Sequence, residues 1–109
     1  MPRHLSRKLF HIFAHHEFIY LTLIGNAFIG VTAGLFYALE AGVNTSVSSY
    51  QDALWWAVVT ITTVGYGDVV PVTGGGRLLA YFTMIFGMAI FACFTGIIVQ
   101  HFLSEAKQH

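Results

Sequence analysis

The chain has 109 residues, room for one domain. It is 56% hydrophobic and only 9% charged, with a mean hydropathy of +0.69; a soluble domain carries about 25% charged residues, so this composition points to lipid. The five acids and five bases cancel, which excludes the basic field of a nucleic-acid-binding protein, and the single cysteine, Cys93, excludes a disulfide within one chain.

Residues 1–17 place Leu5, Leu9, Ile12 and Phe13 at helical spacing among Arg3, Arg7 and Lys8. The pattern predicts a segment lying on the cytoplasmic membrane surface. Residues 18–39 carry no charge and are bracketed by Glu17 and Glu40. As a helix they reach about 33 Å, enough for a hydrocarbon core of ~30 Å, and an outer helix is predicted over 18–40. The run is too long for the apolar part of a signal peptide and is expected to remain as an anchor. Within it, Gly30-x-x-x-Gly34 is expected to pack closely against the second span, and Asn26 to make a helix–helix hydrogen bond.

Residues 41–49 are small and polar and read as an exposed loop, with a formal glycosylation sequon at Asn44-Thr45-Ser46. Residues 50–62 are apolar and aromatic but too short to span. Ser48 or Ser49 is placed to cap a helix there, with Asp52 favourable in its first turn. A short apolar helix between two spans, followed by glycines, reads as re-entrant. Such a backbone is tolerated at membrane depth only when buried in protein or facing a watery cavity.

Thr63-Val64-Gly65-Tyr66-Gly67 comes next. A cation stripped of water needs oxygen ligands, and rings of backbone carbonyls supply them. Aiming successive carbonyls at one axis takes alternate residues out of the common φ/ψ regions, which Gly65 and Gly67 permit. Thr63 adds a hydroxyl at the inner end. One strand supplies only part of a cage, so the motif implies several chains around one axis.

An inner helix is predicted over 76–104. Its uncharged part, 78–104, measures about 40 Å as a helix, so it should tilt or project from the membrane. Residues 105–109 are expected to form a short tail. Arg3, Arg7 and Lys8 precede the first span and Lys107 follows the second, whereas Glu40, Asp52 and Asp68 lie between them with Arg77 as the one base. This bias puts both ends in the cytoplasm. The histidines His4, His11, His15, His16, His101 and His109 then all fall on that side, where pH sensing, metal binding and ordinary interfacial solvation are open readings.

The run Leu54-Trp55-Trp56-Ala57-Val58-Val59-Thr60-Ile61-Thr62-Thr63-Val64-Gly65-Tyr66-Gly67-Asp68 resembles the pore helix and selectivity filter of tetrameric potassium channels, and the likeness continues through Pro71 and Arg77. The resemblance implies an all-α membrane protein of homotetrameric potassium-channel pore fold. Its pore domain would cover 18–104, with a pore helix over 50–62 and a filter over 63–67. The carbonyls of Thr63, Val64, Gly65 and Tyr66, with the Thr63 hydroxyl, would bind permeant K⁺, and Gly67 would face outside. Trp55 and Trp56 would form a cuff around Tyr66, with an indole N–H bonded to Asp68. The end of the pore helix near Thr62 would turn its partial negative charge on the central cavity.

Spacing alone leaves Gly87 open between a hinge and close packing; by the same resemblance it is an inner-helix hinge, with Gly96 a second candidate. Met88, Phe91, Thr95 and Val99 form the cavity-facing stripe, and Phe91 or Phe102 narrows the inner mouth. Val59 stands where some relatives carry a glutamate, so the Asp68 network should follow the valine-bearing voltage-gated type. Val70 stands where some carry an aromatic residue, so a quaternary-ammonium site at the outer mouth is not expected.

The function implied is passive, K⁺-selective conduction, with no organic cofactor, no nucleic-acid partner and no enzymatic chemistry. The expected surroundings are a cell membrane crossed more than once by each chain and a homotetramer. The rivals are a weakly selective cation channel and a non-conducting membrane assembly partner. A complete minimal channel and the pore of a longer protein with a cytoplasmic regulatory domain are both compatible with the sequence.

Overall fold

The computed structural model describes residues 16–107. The interfacial segment expected before them, and the histidines at 4, 11, 15 and 109, lie outside the described residues. Three helices follow in order: α1, His16–Glu40; α2, Tyr50–Ile61; and α3, Gly74–Lys107. Helices α1 and α3 are long and apolar enough to cross a membrane. At 1.5 Å per residue they measure about 38 and 51 Å, and α2 only about 18 Å. The chain is an all-α protein with two apolar spans and a short helix between them.

The boundaries differ from the sequence reading at identifiable places. Helix α1 takes in His16 and Glu17, and the acid in its first turn suits the positive end of the helix. Helix α2 stops at Ile61 rather than 62, and Thr62 forms its C-cap. Helix α3 begins at Gly74 rather than 76 because Thr73 caps it: the Gly76 N–H donates to Thr73 Oγ1 at 2.8 Å, and the Arg77 N–H to Thr73 O at 3.0 Å. It continues past 104 because Glu105, Ala106 and Lys107 are good helix formers.

Asp52 fixes the start of α2. Its Oδ2 accepts the Ser48 N–H at 2.9 Å, the Ser48 hydroxyl at 2.8 Å and the Ser49 N–H at 3.2 Å. The backbone bond from Ser48, then its hydroxyl, hold the Asp52 carboxyl below its ordinary value of 3.8.

Lipid tails are as apolar as leucine, so packing rather than water exclusion joins helices here. Helix α2 lies between the C-terminal half of α1 and the N-terminal half of α3. Phe36 of α1 stacks on Trp56 of α2 at 3.9 Å and 8°. Buried Ala33, Ala53, Ala57 and Ala80 keep the helices close around that pair. At the other end Phe18 meets Phe94 edge to face at 4.6 Å.

The expected close-packing pair, Gly30 and Gly34, does not meet α3. Gly30 lies under Tyr50, whose hydroxyl donates to the Gly30 carbonyl at 3.0 Å, and a side chain at Gly34 would meet nothing within 4 Å. Asn26 makes no bond between helices; its Nδ2 donates to Thr22 O in the preceding turn at 2.9 Å, within easy reach of a short amide. The α1–α3 contacts at glycine are elsewhere. A Cβ on Gly25 would sit 3.6 Å from Ile90, whereas one on Gly76 would sit 2.7 Å from Glu40 Oε2 and 2.9 Å from Thr73 Oγ1.

Two outcomes follow from this packing. Gly76→Ala should destabilise the purified protein by about 1–3 kcal/mol, the range for overpacking, while Gly25→Ala, which meets only ordinary contacts, should not; thermal melts of the two variants compare them. For Asp52, a folded pKa below the unfolded one makes its stabilisation complete above the unfolded value and lost as pH falls through the folded one. The melting temperature should therefore drop between about pH 5 and pH 2 in the native protein, and this acid limb should flatten in Asp52→Asn.

Candidate functional site

The segment after α2 leaves helical geometry abruptly. Thr63, Gly65 and Gly67 have φ of 64°, 58° and 81°, and among the described non-glycine residues Thr63 alone has a positive φ. A backbone that alternates the sign of φ turns successive carbonyls to one side, unlike a regular strand. Glycine takes such angles freely, but a β-branched threonine does so at a cost of about 1–3 kcal/mol. The strand is therefore tied to the helix before it. The Thr63 N–H donates to Thr60 O at 3.1 Å, and the Gly65 N–H to Val59 O at 3.2 Å.

Its outer end is held from the side. Trp55 Nε1 donates to Asp68 Oδ2 at 2.8 Å, and the Trp55 ring stacks on Tyr66 at 5.8 Å and 4°. Trp56 stacks on Phe36 and also lines a cavity of about 370 Å³ with Val59, Thr63, Gly67, Asp68 and Met84. Val59 is buried. Tyr66 is 67% exposed and Trp55 48% exposed in one chain. The Thr62 hydroxyl donates back to Val58 O at 2.7 Å, at the end of α2 where the helix dipole is negative.

A second support was not read from the sequence. Glu40, at the end of α1, is wholly buried. Its Oε1 accepts from the Val72 N–H and, at 3.0 Å, from Asn44 Nδ2; its Oε2 accepts the Thr73 N–H at 3.0 Å. Asn44 Nδ2 also donates to Val70 O at 2.7 Å. One carboxylate thus joins α1, the loop after residues 63–67 and the positive end of α3. The available signals were an acid closing an apolar run, an asparagine four residues on, and the glycines that let α3 approach. The same network engages the sequon. Asn44 is buried and its amide nitrogen is committed to two acceptors, so the folded chain offers no glycan acceptor there.

On α3, Met88, Phe91, Thr95, Val99 and Phe102 are all exposed in one chain. Thr95 donates its hydroxyl to Phe91 O at 3.1 Å. Val99 lines a groove of about 480 Å³ with Gly96, Gln100, Leu103 and Ser104, a set that does not include Phe102. Phe91 instead borders an apolar cavity of about 260 Å³ with Ile61, Thr62, Ile90 and Asn26. Helix α3 runs unbroken through Gly87 and Gly96, and Gly87 is buried against Ile61.

Residues 18–104 match the family described as ion channel. The human potassium voltage-gated channel subfamily KQT member 4 is 39% identical over 100 residues, covering 90% of this chain and 14% of that protein. The human potassium voltage-gated channel subfamily A member 5 is 42% identical over 83 residues, covering 73% and 14%. The chain thus spans about one-seventh of the length of these curated relatives. The crystal structure of a voltage-gated K⁺ channel pore module in a closed state in lipid membranes superposes with a TM-score of 0.66 at 35% identity, covering 83% of this chain and 94% of that one. A voltage-gated K⁺ channel pore domain gives the same score and identity, and is covered over its whole length. With a family match across most of its length and near-complete coverage of solved pore structures, this chain belongs to the ion channel family, as a potassium channel pore domain.

Proposed function

We propose that this chain is the pore-forming subunit of a K⁺-selective channel, with four copies surrounding one conduction path. The observation that carries the proposal is the alternating φ of 63–67, held against α2 in a chain of the ion channel family. The carbonyls of Thr63, Val64, Gly65 and Tyr66 replace the hydration shell of K⁺, the Thr63 hydroxyl adds ligands at the inner end, and repulsion between neighbouring ions speeds exit. One strand is a quarter of that cage, and the bared faces of Tyr66 and Trp55 are where an adjacent subunit completes the cuff. The negative end of α2 near Thr62 favours a cation in the cavity below. Met88, Phe91, Thr95 and Val99 line that cavity, and an apolar narrowing at Phe91 or Phe102 closes it by dewetting. The bias of basic residues puts both termini in the cytoplasm. The names of the relatives, all potassium channels, support K⁺ as the permeant ion.

Purified protein reconstituted in liposomes should pass K⁺, be blocked by barium and reverse near the K⁺ equilibrium potential under K⁺/Na⁺ bi-ionic conditions. A reversal potential near zero would identify a weakly selective cation channel, and no flux a non-conducting assembly partner. Trp55→Phe keeps the ring but removes the N–H donor to Asp68. A hydrogen bond to a charged group contributes about 1.5–3 kcal/mol. The variant should still select K⁺ but lose current faster during sustained opening, because the outer end of the strand is freed; unchanged current decay would contradict this role.

A further inference from the structure

Arg77 is the one base between the two spans. It is exposed near the start of α3, and its guanidinium has no partner among the described residues; its backbone N–H alone is bonded, to Thr73 O. The acids between the spans are Glu40, Asp52 and Asp68. Glu40 is wholly buried and meets three donors, and Asp68 takes the Trp55 N–H. Asp52 takes its Ser48 and Ser49 bonds on Oδ2, which leaves Oδ1 out of all three.

Depth makes Asp52 the match for Arg77. Helix α3 starts at Glu40, and α2 passes Phe36 one turn below it. Further down, Gly87 of α3 meets Ile61 of α2. Arg77 stands ten residues before Gly87, and Asp52 nine before Ile61. Along their helices the two charges therefore lie about 15 and 14 Å above that contact. Asp68, held by Trp55, lies about one turn lower. Within the chain Arg77 and Asp52 do not pair. A rotation about an axis along the membrane normal keeps every residue at its depth, so Arg77 of one copy is level with Asp52 of the next.

The faces below the two charges are also unpartnered. Arg77 heads an exposed stripe of α3 formed by Tyr81, Ile85 and Met88, and α2 below Asp52 exposes Trp55 and Val58. Two different faces joined head to tail close a ring.

Building on the four-copy channel reading, we propose that Arg77 of one copy pairs with Asp52 of the next, so that the α3 stripe of each copy seats on the α2 face of its neighbour with opposite charges at the outer end. The pair sets the depth of the joint, because a copy slid by one turn leaves Arg77 without its acid. Asp52 also caps α2, so the joint reaches the helix that holds residues 63–67.

The test uses the full chain, purified as the assembly, and reads tetramer dissociation on heating. Arg77→Gln should speed dissociation about fivefold, the upper range for an exposed ion pair. In an Asp52→Asn background the same change should have no effect; the lost cap of α2 is common to both arms and cancels. The difference should vanish in about 1 M KCl. For proximity, chains carrying Asp52→Cys and chains carrying Arg77→Cys, both with Cys93→Ser, are co-assembled and treated with a short bis-maleimide. Covalent dimers should form in the mixture and not in either chain alone. The pairing is overturned if Arg77→Gln acts equally in both backgrounds, if its effect is cancelled by Asp68→Asn instead, or if the mixture gives no dimer. An effect that needs phosphatidylglycerol vesicles and persists in Asp52→Asn would overturn it in favour of a lipid phosphate. Absence of K⁺ flux from wild-type tetramers would defeat the channel reading instead, and the pair would still be decided by dissociation and cross-linking.

Discussion

A strand with left-handed φ at alternate residues does not hold itself. It has neither the repeating bonds of a helix nor a pairing strand among the described residues, and Thr63 sits where a β-branched residue is disfavoured. The rest of the described structure can be read as the clamp this backbone needs. From below, the Val59 and Thr60 carbonyls take the Gly65 and Thr63 N–H groups. From the side, Trp55 holds Asp68 and stacks on Tyr66. Past the outer end, Glu40 and Asn44 hold the backbone of Val70, Val72 and Thr73.

The Glu40 clamp shows how a membrane protein uses a buried charge. An isolated carboxylate away from water is costly, and apolar packing does not repay it. Here three donors and the positive end of α3 meet the carboxylate, and Gly76 leaves room for it. Such a group specifies more than it stabilises. It ties the end of the first span to the start of the second. Removing a single partner would leave the charge unmatched, which is the expensive case.

Much of this was legible in the sequence, and the rest was hidden for a common reason. Both spans show as long uncharged runs, and the short helix between them shows as an apolar stretch too brief to cross. The 63–67 segment shows because its glycines answer a local need, the sign of φ. By contrast, Glu40 reaches Val72 and Thr73, 32 and 33 positions away, and nothing near Glu40 announces them. Gly30 meets Tyr50 rather than α3, because a glycine pattern says where a helix is narrow, not what approaches it. The Gly76 contact was missed, and the partner of Gly87 left unnamed, for the same reason: the atoms they admit, from Glu40 and Ile61, belong to other helices. Thr63 hid its strained backbone behind a residue type that ordinarily avoids it.

The central claim is that peptide oxygens from several copies of one strand replace water around a bare cation. Anomalous scattering from Tl⁺ in crystals of the purified assembly addresses it most directly. The account predicts 63–67 from each chain facing a shared axis, with thallium peaks between successive rings of carbonyl oxygen. Strands lying apart from any common axis, with no metal density between them, would contradict it.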